Sequence, residues 1–128
     1  MSIKAIVFDK DGTLMKFEDF WIPVAEQFLN KLKIADYFDE VFTFDGIHPT
    51  KPNPYYVKTI CRKYNLAPSE IIMVGDTLID MDFAKNSNVT AVGVAEKYND
   101  KKYLKQYAKY VLSNVSKIAD FLKKWSDY

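Results

Sequence analysis

The chain has little of what marks a secreted or membrane protein. It contains one cysteine, Cys61, so no disulfide can form within it. No apolar run approaches the roughly 20 residues that a membrane-spanning helix needs. The apolar stretch at the N-terminus is too short and too soon interrupted to be a signal peptide. We therefore expect a soluble cytoplasmic protein.

The balance of charged residues does not point to any class of binding partner. Lysine and arginine number 18 against 17 aspartate and glutamate residues, and the net charge of +1 gives no argument for nucleic acid or an anionic membrane as a partner. The 128 residues suffice for one domain and are too few for two ordinary ones. We expect a single domain over residues 1–128 that binds neither nucleic acid nor membrane.

Short apolar runs alternate along the chain with segments of helical periodicity. The runs predict strands at residues 3–8, 40–44, 71–74 and 90–94, with a shorter one at 110–112. Apolar residues at helical spacing predict helices over 21–32, 54–64, a segment ending at about 88, and 115–125. The inward faces are expected to carry Val57, Ile60, Cys61 and Tyr64 in the second helix, and Phe83 and Ala84 in the third.

Strands that alternate with helices of this length imply crossover connections. They predict an α/β fold of three layers, with a parallel sheet and helices on both faces. Ligands of such sheets bind beyond the carboxyl ends of the strands. The polar clusters fall there: Asp9 and Asp11 follow the first strand, Thr43 and the loop to Lys51 the second, and Asp76 the third. We therefore predict one site at this edge.

Three carboxylates are expected to converge at that edge. Asp9 and Asp11 flank Lys10, so strand alternation sends both side chains the same way. Asp76 follows a strand that can lie beside the first. Converging carboxylates repel one another unless a cation lies among them. Mg²⁺ prefers carboxylate, water and substrate oxygens, and it is the predicted cofactor.

Glycine and lysine residues add an argument for phosphate. Gly12 and Gly75 allow tight turns and a close approach of the backbone to an anion. Lys51 supplies the positive charge that a phosphoryl group needs. Pro52 and Pro54 stiffen the loop that carries this lysine.

Each of these residues, taken alone, also has an ordinary structural interpretation. Asp76 could be a helix N-cap, and Asp80 and Asp82 could be exposed helix positions. Lys51 could be a solvated surface lysine, and Thr43 an ordinary strand residue. A shared function is favoured because these features lie at strand carboxyl ends, in an order that one active site can use.

Three motifs resemble those of the haloacid dehalogenase-like hydrolases. Residues 9–14, DKDGTL, look like the first motif of that family, and residues 51–54, KPNP, look like the lysine motif of its phosphoglycolate phosphatase-like branch. Residues 75–80, GDTLID, followed by MDFAKN, resemble the fourth motif. The likeness runs over residues 2–14 and 37–94. It implies a Rossmann-like core that acts as a Mg²⁺-dependent phosphatase.

The resemblance also implies a role for each matching residue. Asp9 would be the nucleophile that forms an aspartyl-phosphate, and it would ligate Mg²⁺. Asp11 would protonate the leaving oxygen, activate water and contact the metal through its carbonyl. Lys51 would neutralise the phosphoryl oxygens and orient the nucleophile. Asp76 would bind Mg²⁺, and Asp80 would assist by holding the metal ligands in position without binding the metal itself.

The sequence departs from the family between residues 14 and 37. Members of this branch carry a helical cap there, followed by a strand that ends in a phosphate-binding Ser or Thr. One predicted helix spans this interval, so a capless core that lacks one β-α unit is expected. Thr43, with Gly12 and Thr13, would then contact the phosphate of a phosphorylated small-molecule substrate.

Two alternatives to an active monomer follow from the shortened chain. A sheet that lacks a unit leaves an apolar face or edge that a homodimer could cover, and the candidate residues are Phe17, Phe20, Trp21, Tyr55 and Tyr56. The domain could also be inactive and bind only metal, phosphate or a protein partner. A receiver domain fits poorly, since receivers place the Lys-Pro pair late in the chain.

Overall fold

The computed structural model describes residues 3–9, 47 and 49–126. Within these residues the strands are β1 (Ala5–Phe8), β2 (Ile71–Gly75), β3 (Thr90–Val94) and β4 (Tyr110–Leu112). The α-helices are α1 (Tyr55–Tyr64), α2 (Leu78–Asn86), α3 (Tyr98–Leu104) and α4 (Ile118–Ser126). Short 3₁₀ turns at Pro68–Glu70 and Val115–Lys117 precede β2 and α4.

The four strands form one parallel sheet in the order β1-β2-β3-β4. Phe8 at the end of β1 pairs with Val74 of β2, and Gly75 at the end of β2 pairs with Gly93 of β3. The predicted parallel α/β fold is therefore confirmed. Because the strands are parallel, their carboxyl ends meet at one edge of the sheet.

The sheet separates two apolar layers, as strand alternation requires. Ile71 and Met73 of β2 face one layer, and Ile72 and Val74 face the other. All four are buried, as expected for a central strand covered on both sides. Helices α1, α2 and α3 pack on the first face through Val57, Met81, Phe83, Ala84 and Leu104, and α4 packs on the second through Ile118, Phe121 and Leu122.

Two helix predictions need correction. Tyr64, expected on the inward face of α1, is 43% exposed, because it is the last helical residue and Asn65 then turns the chain in a left-handed conformation. Val115 lies before the closing helix, in a 3₁₀ turn where Asn114 accepts a hydrogen bond from the Ser116 N–H. Helix α3 was not predicted separately; its sequence showed only a lysine-rich stretch.

Several sequence predictions lie outside the described residues. They include the strand at 40–44 and the helix at 21–32, and with them the missing cap and the missing β-α unit. Of the aromatic residues proposed for a dimer surface, only Tyr55 and Tyr56 are described; both are half-buried, and Tyr56 packs against the core. Among the described helices, none has the length and apolar character that crossing a membrane would require.

Candidate active site

Two carboxylates lie side by side at the carboxyl edge of the sheet. Asp9 directly follows β1, and its backbone N–H donates to the carbonyl of Val74 at 2.9 Å. Asp76 directly follows Gly75, the last residue of the adjacent strand β2. The two side chains meet here because β1 and β2 are neighbours in the sheet, as the sequence predicted.

A third carboxylate, Asp80, is held inside the first turn of α2. Thr77 is the N-cap of this helix, and its hydroxyl accepts a hydrogen bond from the Asp80 N–H at 3.3 Å. In return, Asp80 Oδ2 accepts from the Thr77 N–H at 3.2 Å, the Thr77 hydroxyl at 2.9 Å and the Asp76 N–H at 3.2 Å. The Asp80 side chain is only 1% exposed.

This arrangement rules out two of the ordinary interpretations. Asp76 is not the N-cap, because Thr77 occupies that position. Asp80 is buried, whereas Asp82, two residues later, is exposed. The sequence contained the signal for the cap, since Thr at 77 and Asp at 80 have the spacing of a capping box, and sequence reasoning missed it.

Gly75 allows the Asp80 carboxylate to lie against the end of β2. A Cβ at Gly75 would overlap the Asp80 side chain, so any other residue would push this carboxylate away. The backbone at Gly75 therefore approaches an anion closely, as expected, and this anion is the Asp80 carboxylate.

Lys51 links the end of β1 to the first turn of α2. Its ammonium group donates to Asp9 Oδ1 at 2.9 Å and to Asp80 Oδ1 at 2.7 Å. Burial alone would lower the pKa of Lys51, but the charges and hydrogen bonds of Asp80 and Asp9 outweigh it and raise this pKa above its ordinary value. Lys51 is therefore a firmly charged residue of the site, and not a solvated surface lysine.

A residue that the sequence analysis did not select also ties the Lys51 loop to α2. Asn86, the last residue of α2, donates from Nδ2 to the carbonyl of Pro52 at 3.0 Å. These two residues are 34 positions apart, and no motif at either of them signals the contact.

The electrostatics of the three carboxylates favour a cation. One oxygen from each of Asp9, Asp76 and Asp80 lies within 4.8 Å of the others. Burial, followed by the charge of Asp80, raises the pKa of Asp9 to about 7 in spite of the opposing charge of Lys51. Burial also raises the pKa of Asp76. Both shifts mean that the ionised forms of Asp9 and Asp76 are disfavoured, chiefly by burial, and a cation among the carboxylates would offset this cost.

One oxygen at this edge is open to a metal ligand role. Among the described residues, Asp76 Oδ1 is buried and has no hydrogen-bond partner. Both oxygens of Asp80 are already engaged, one by Lys51 and the other by the cap. The donor set consists of carboxylate oxygens, which suits a hard cation such as Mg²⁺.

The remaining predicted site residues lie outside the described part of the chain. They are Asp11, Gly12, Thr13 and Thr43. The structure therefore brings together Asp9, Lys51, Asp76 and Asp80, and the placement of the other four stays a prediction.

Comparisons with known proteins identify the family of this chain. Residues 23–94, more than half of the chain, match the family model of the haloacid dehalogenase-like hydrolases. A phosphoglycolate phosphatase of Vibrio vulnificus (strain YJ016) is 38% identical over 66 residues, which are 52% of this chain and 29% of that protein. The matched part is thus less than a third of that relative's length.

Solved structures show the same fold. A haloacid dehalogenase-like protein of Agrobacterium tumefaciens, 14% identical, superposes with a TM-score of 0.71 over 84% of this chain and 52% of its own. An NMR structure of a core domain from Streptococcus pneumoniae TIGR4, 20% identical, has a TM-score of 0.67 and covers 96% of this chain and 97% of its own. The second case shows that a chain of this extent has been solved as a separate core domain.

Proposed function

Since this chain belongs to the haloacid dehalogenase-like hydrolase family, we propose that it is a Mg²⁺-dependent phosphomonoesterase with Asp9 as the nucleophile. The observation that carries the proposal is the pairing of Asp9 with Lys51 at 2.9 Å, beside the unpartnered Oδ1 of Asp76. A carboxylate oriented by a lysine next to an open metal ligand is suited to attack on phosphorus.

Asp9 and Asp76 are the proposed direct ligands of Mg²⁺, together with the carbonyl of Asp11. Asp80 would hold this group in place, because its oxygens are already committed to Lys51 and the α2 cap. When bound, Mg²⁺ would neutralise the clustered carboxylates and withdraw charge from the phosphoryl oxygens.

The proposed reaction has two steps. An oxygen of Asp9 forms a bond to phosphorus while the ester P–O bond breaks, and the leaving oxygen takes a proton from Asp11. Asp11 then removes a proton from water, which attacks phosphorus and releases inorganic phosphate with a regenerated Asp9 carboxylate. The assignment of Asp11 rests on the family motif at residues 9–14.

Lys51 would contact Asp9 before substrate binds and the phosphoryl group of the substrate afterwards. Before substrate binds, its ammonium group fixes the Asp9 carboxylate through Oδ1. A phosphoryl group placed beside Asp9 would offer the ammonium group additional oxygen acceptors. Positive charge at that position is most favourable when negative charge develops in the transition state.

The proposed substrate is a phosphorylated small molecule, held additionally by Gly12, Thr13 and Thr43. The curated relative from Vibrio vulnificus is named for phosphoglycolate, which makes small phosphorylated acids the first compounds to test.

We also retain the homodimer as a proposal: a strictly monomeric mass over a concentration series would count against it.

Hydrolysis of p-nitrophenyl phosphate with and without Mg²⁺ tests the proposed function. The wild type should turn over only with the metal, and Asp9→Asn should reduce kcat by at least about 10³-fold, because the nucleophile is lost. Asp82→Asn is the matched control, since Asp82 is an exposed aspartate of α2, and it should match the wild type.

Two results would overturn this proposal. Turnover that does not depend on Mg²⁺ would exclude the metal role, and an Asp9→Asn variant as active as the wild type would exclude the nucleophile. A folded wild type that binds Mg²⁺ and phosphate without turnover would instead support the alternative of a binding module.

A further inference from the structure

The Lys51 loop is fastened at two points to the same helix, α2. The lysine head contacts Asp80 Oδ1 in the first turn of α2 at 2.7 Å. The carbonyl of Pro52, the next residue, accepts a hydrogen bond from Asn86 Nδ2 at the other end of α2 at 3.0 Å. One end of α2 therefore contacts the Lys51 ammonium group, and the other end contacts the backbone of the loop.

Only the hydrogen bond from Asn86 is independent of the Lys51 ammonium group. Two of the three ammonium donors contact Asp9 and Asp80, and in the proposed reaction this group also contacts the phosphoryl oxygens, so its hydrogen bonds can rearrange. The hydrogen bond from Asn86 ends on a backbone carbonyl, so such a rearrangement leaves it in place. It restrains the residue adjacent to Lys51 throughout.

Among the described residues, the other hydrogen bonds of this loop are formed within it or with the start of α1. Asn53 donates its N–H to the Thr50 carbonyl at 2.9 Å, which closes the turn, and the Asn53 side chain accepts from the Tyr55 N–H at 3.0 Å. Both bonds are local to the loop. Pro52 has no backbone N–H and cannot add one.

From this geometry we propose that Asn86 is a positioning residue, whose amide holds the Lys51 loop so that the ammonium group reaches the phosphoryl group as it is transferred. This inference rests on the proposed phosphatase function. Asn86 itself touches neither the substrate nor the reacting atoms. A side chain that acts only through Lys51 should matter only while Lys51 is present.

Kinetics of Asn86→Ala test the proposal. Loss of this neutral, exposed hydrogen bond should lower kcat roughly three- to tenfold and change KM by less than about twofold. Alanine is the better helix former, so a purely structural effect would leave stability equal or raised and kcat unchanged. Asn86→Gln, which keeps the amide donor, should recover part of the loss.

The matched control is Lys85→Ala, which changes the adjacent exposed residue of α2 to the same amino acid. It should leave kcat unchanged. In a Lys51→Met background, Asn86→Ala should have no further effect on the residual turnover, measured at high enzyme concentration. An equal decrease with and without Lys51, or no decrease in either, would overturn the proposal.

A measurement without turnover separates this inference from the proposed function. Amide hydrogen exchange at Asn53 reports opening of the Thr50–Asn53 turn, and Asn86→Ala should accelerate it roughly fivefold while Lys85→Ala does not. Unchanged exchange would overturn the tether even in an active enzyme. Faster exchange in a protein without phosphatase activity would leave the tether standing and remove the proposed function.

Discussion

The two ends of the sheet carry ion pairs of nearly the same length in very different surroundings. At the carboxyl end, Lys51 lies 2.7 Å from Asp80, whose side chain is 1% exposed. At the amino end, Lys4 lies 2.8 Å from Glu70, and the two side chains are 57% and 25% exposed. The distances alone would suggest equal contributions to stability.

Burial makes the two pairs different. Water and salt screen the Lys4–Glu70 pair, and such surface pairs contribute little. At the carboxyl end the Asp80 carboxylate is buried, so removal of Lys51 would leave this charge without its counter-charge, and loss of the carboxylate would leave its buried donors without an acceptor of the same strength. The carboxyl end of the sheet therefore combines a contribution to folding stability with the proposed chemistry, while the amino end does neither to a comparable degree.

The largest expected effect comes from neutralising the buried partner. In Asp80→Asn, the new side-chain NH2 group is itself a donor. It must face other donors, either the Lys51 ammonium group or the N–H groups of Asp76 and Thr77. We expect the free energy of unfolding to fall by about 3 kcal/mol in urea titrations. Glu70→Gln at the other end should leave the urea midpoint unchanged, and equal losses in both variants would refute the comparison.

The next effect concerns the glycines at the ends of β2 and β3. A Cβ at Gly75 would overlap Asp80, so Gly75→Ala should destabilise the protein by about 2 kcal/mol. Gly93 pairs with Gly75 in the sheet, and its added Cβ would lie 3.3 Å from Leu104 Cδ1, a contact that a flexible side chain can relax. Thermal unfolding should therefore show a clearly smaller loss for Gly93→Ala.

The smallest effect is that of the metal itself. Mg²⁺ at ten times its Kd should stabilise the folded protein by about 1.4 kcal/mol. Asp76→Asn should abolish this increase, because it removes the charge of the ligand whose Oδ1 lacks a partner. Glu70→Gln should retain the full increase in Tm, and a loss there would show that the metal does not act at the carboxyl end alone.

Much of the described fold could be predicted from local patterns. All four described strands were placed to within two residues, at 5–8, 71–75, 90–94 and 110–112, because short continuous apolar runs at these positions indicate strands. Helix α3 was missed because seven residues rich in lysine and tyrosine give a weak apolar period. Tyr64 was misplaced because a helical period does not show that the helix ends at this residue, where Asn65 turns the chain.

The site divides in the same way. The sequence by itself determined that Asp9 and Asp76 follow apolar strands, because apolar runs end there and parallel strands present their carboxyl ends together. Only the tertiary structure decided that Asp80 is buried and that Asn86 holds Pro52. It also decided that Lys51 reaches partners 42 and 29 positions away, at Asp9 and Asp80. Local periodicity encodes which residues face inward, but contacts across such separations exist only after the sheet and helices have packed.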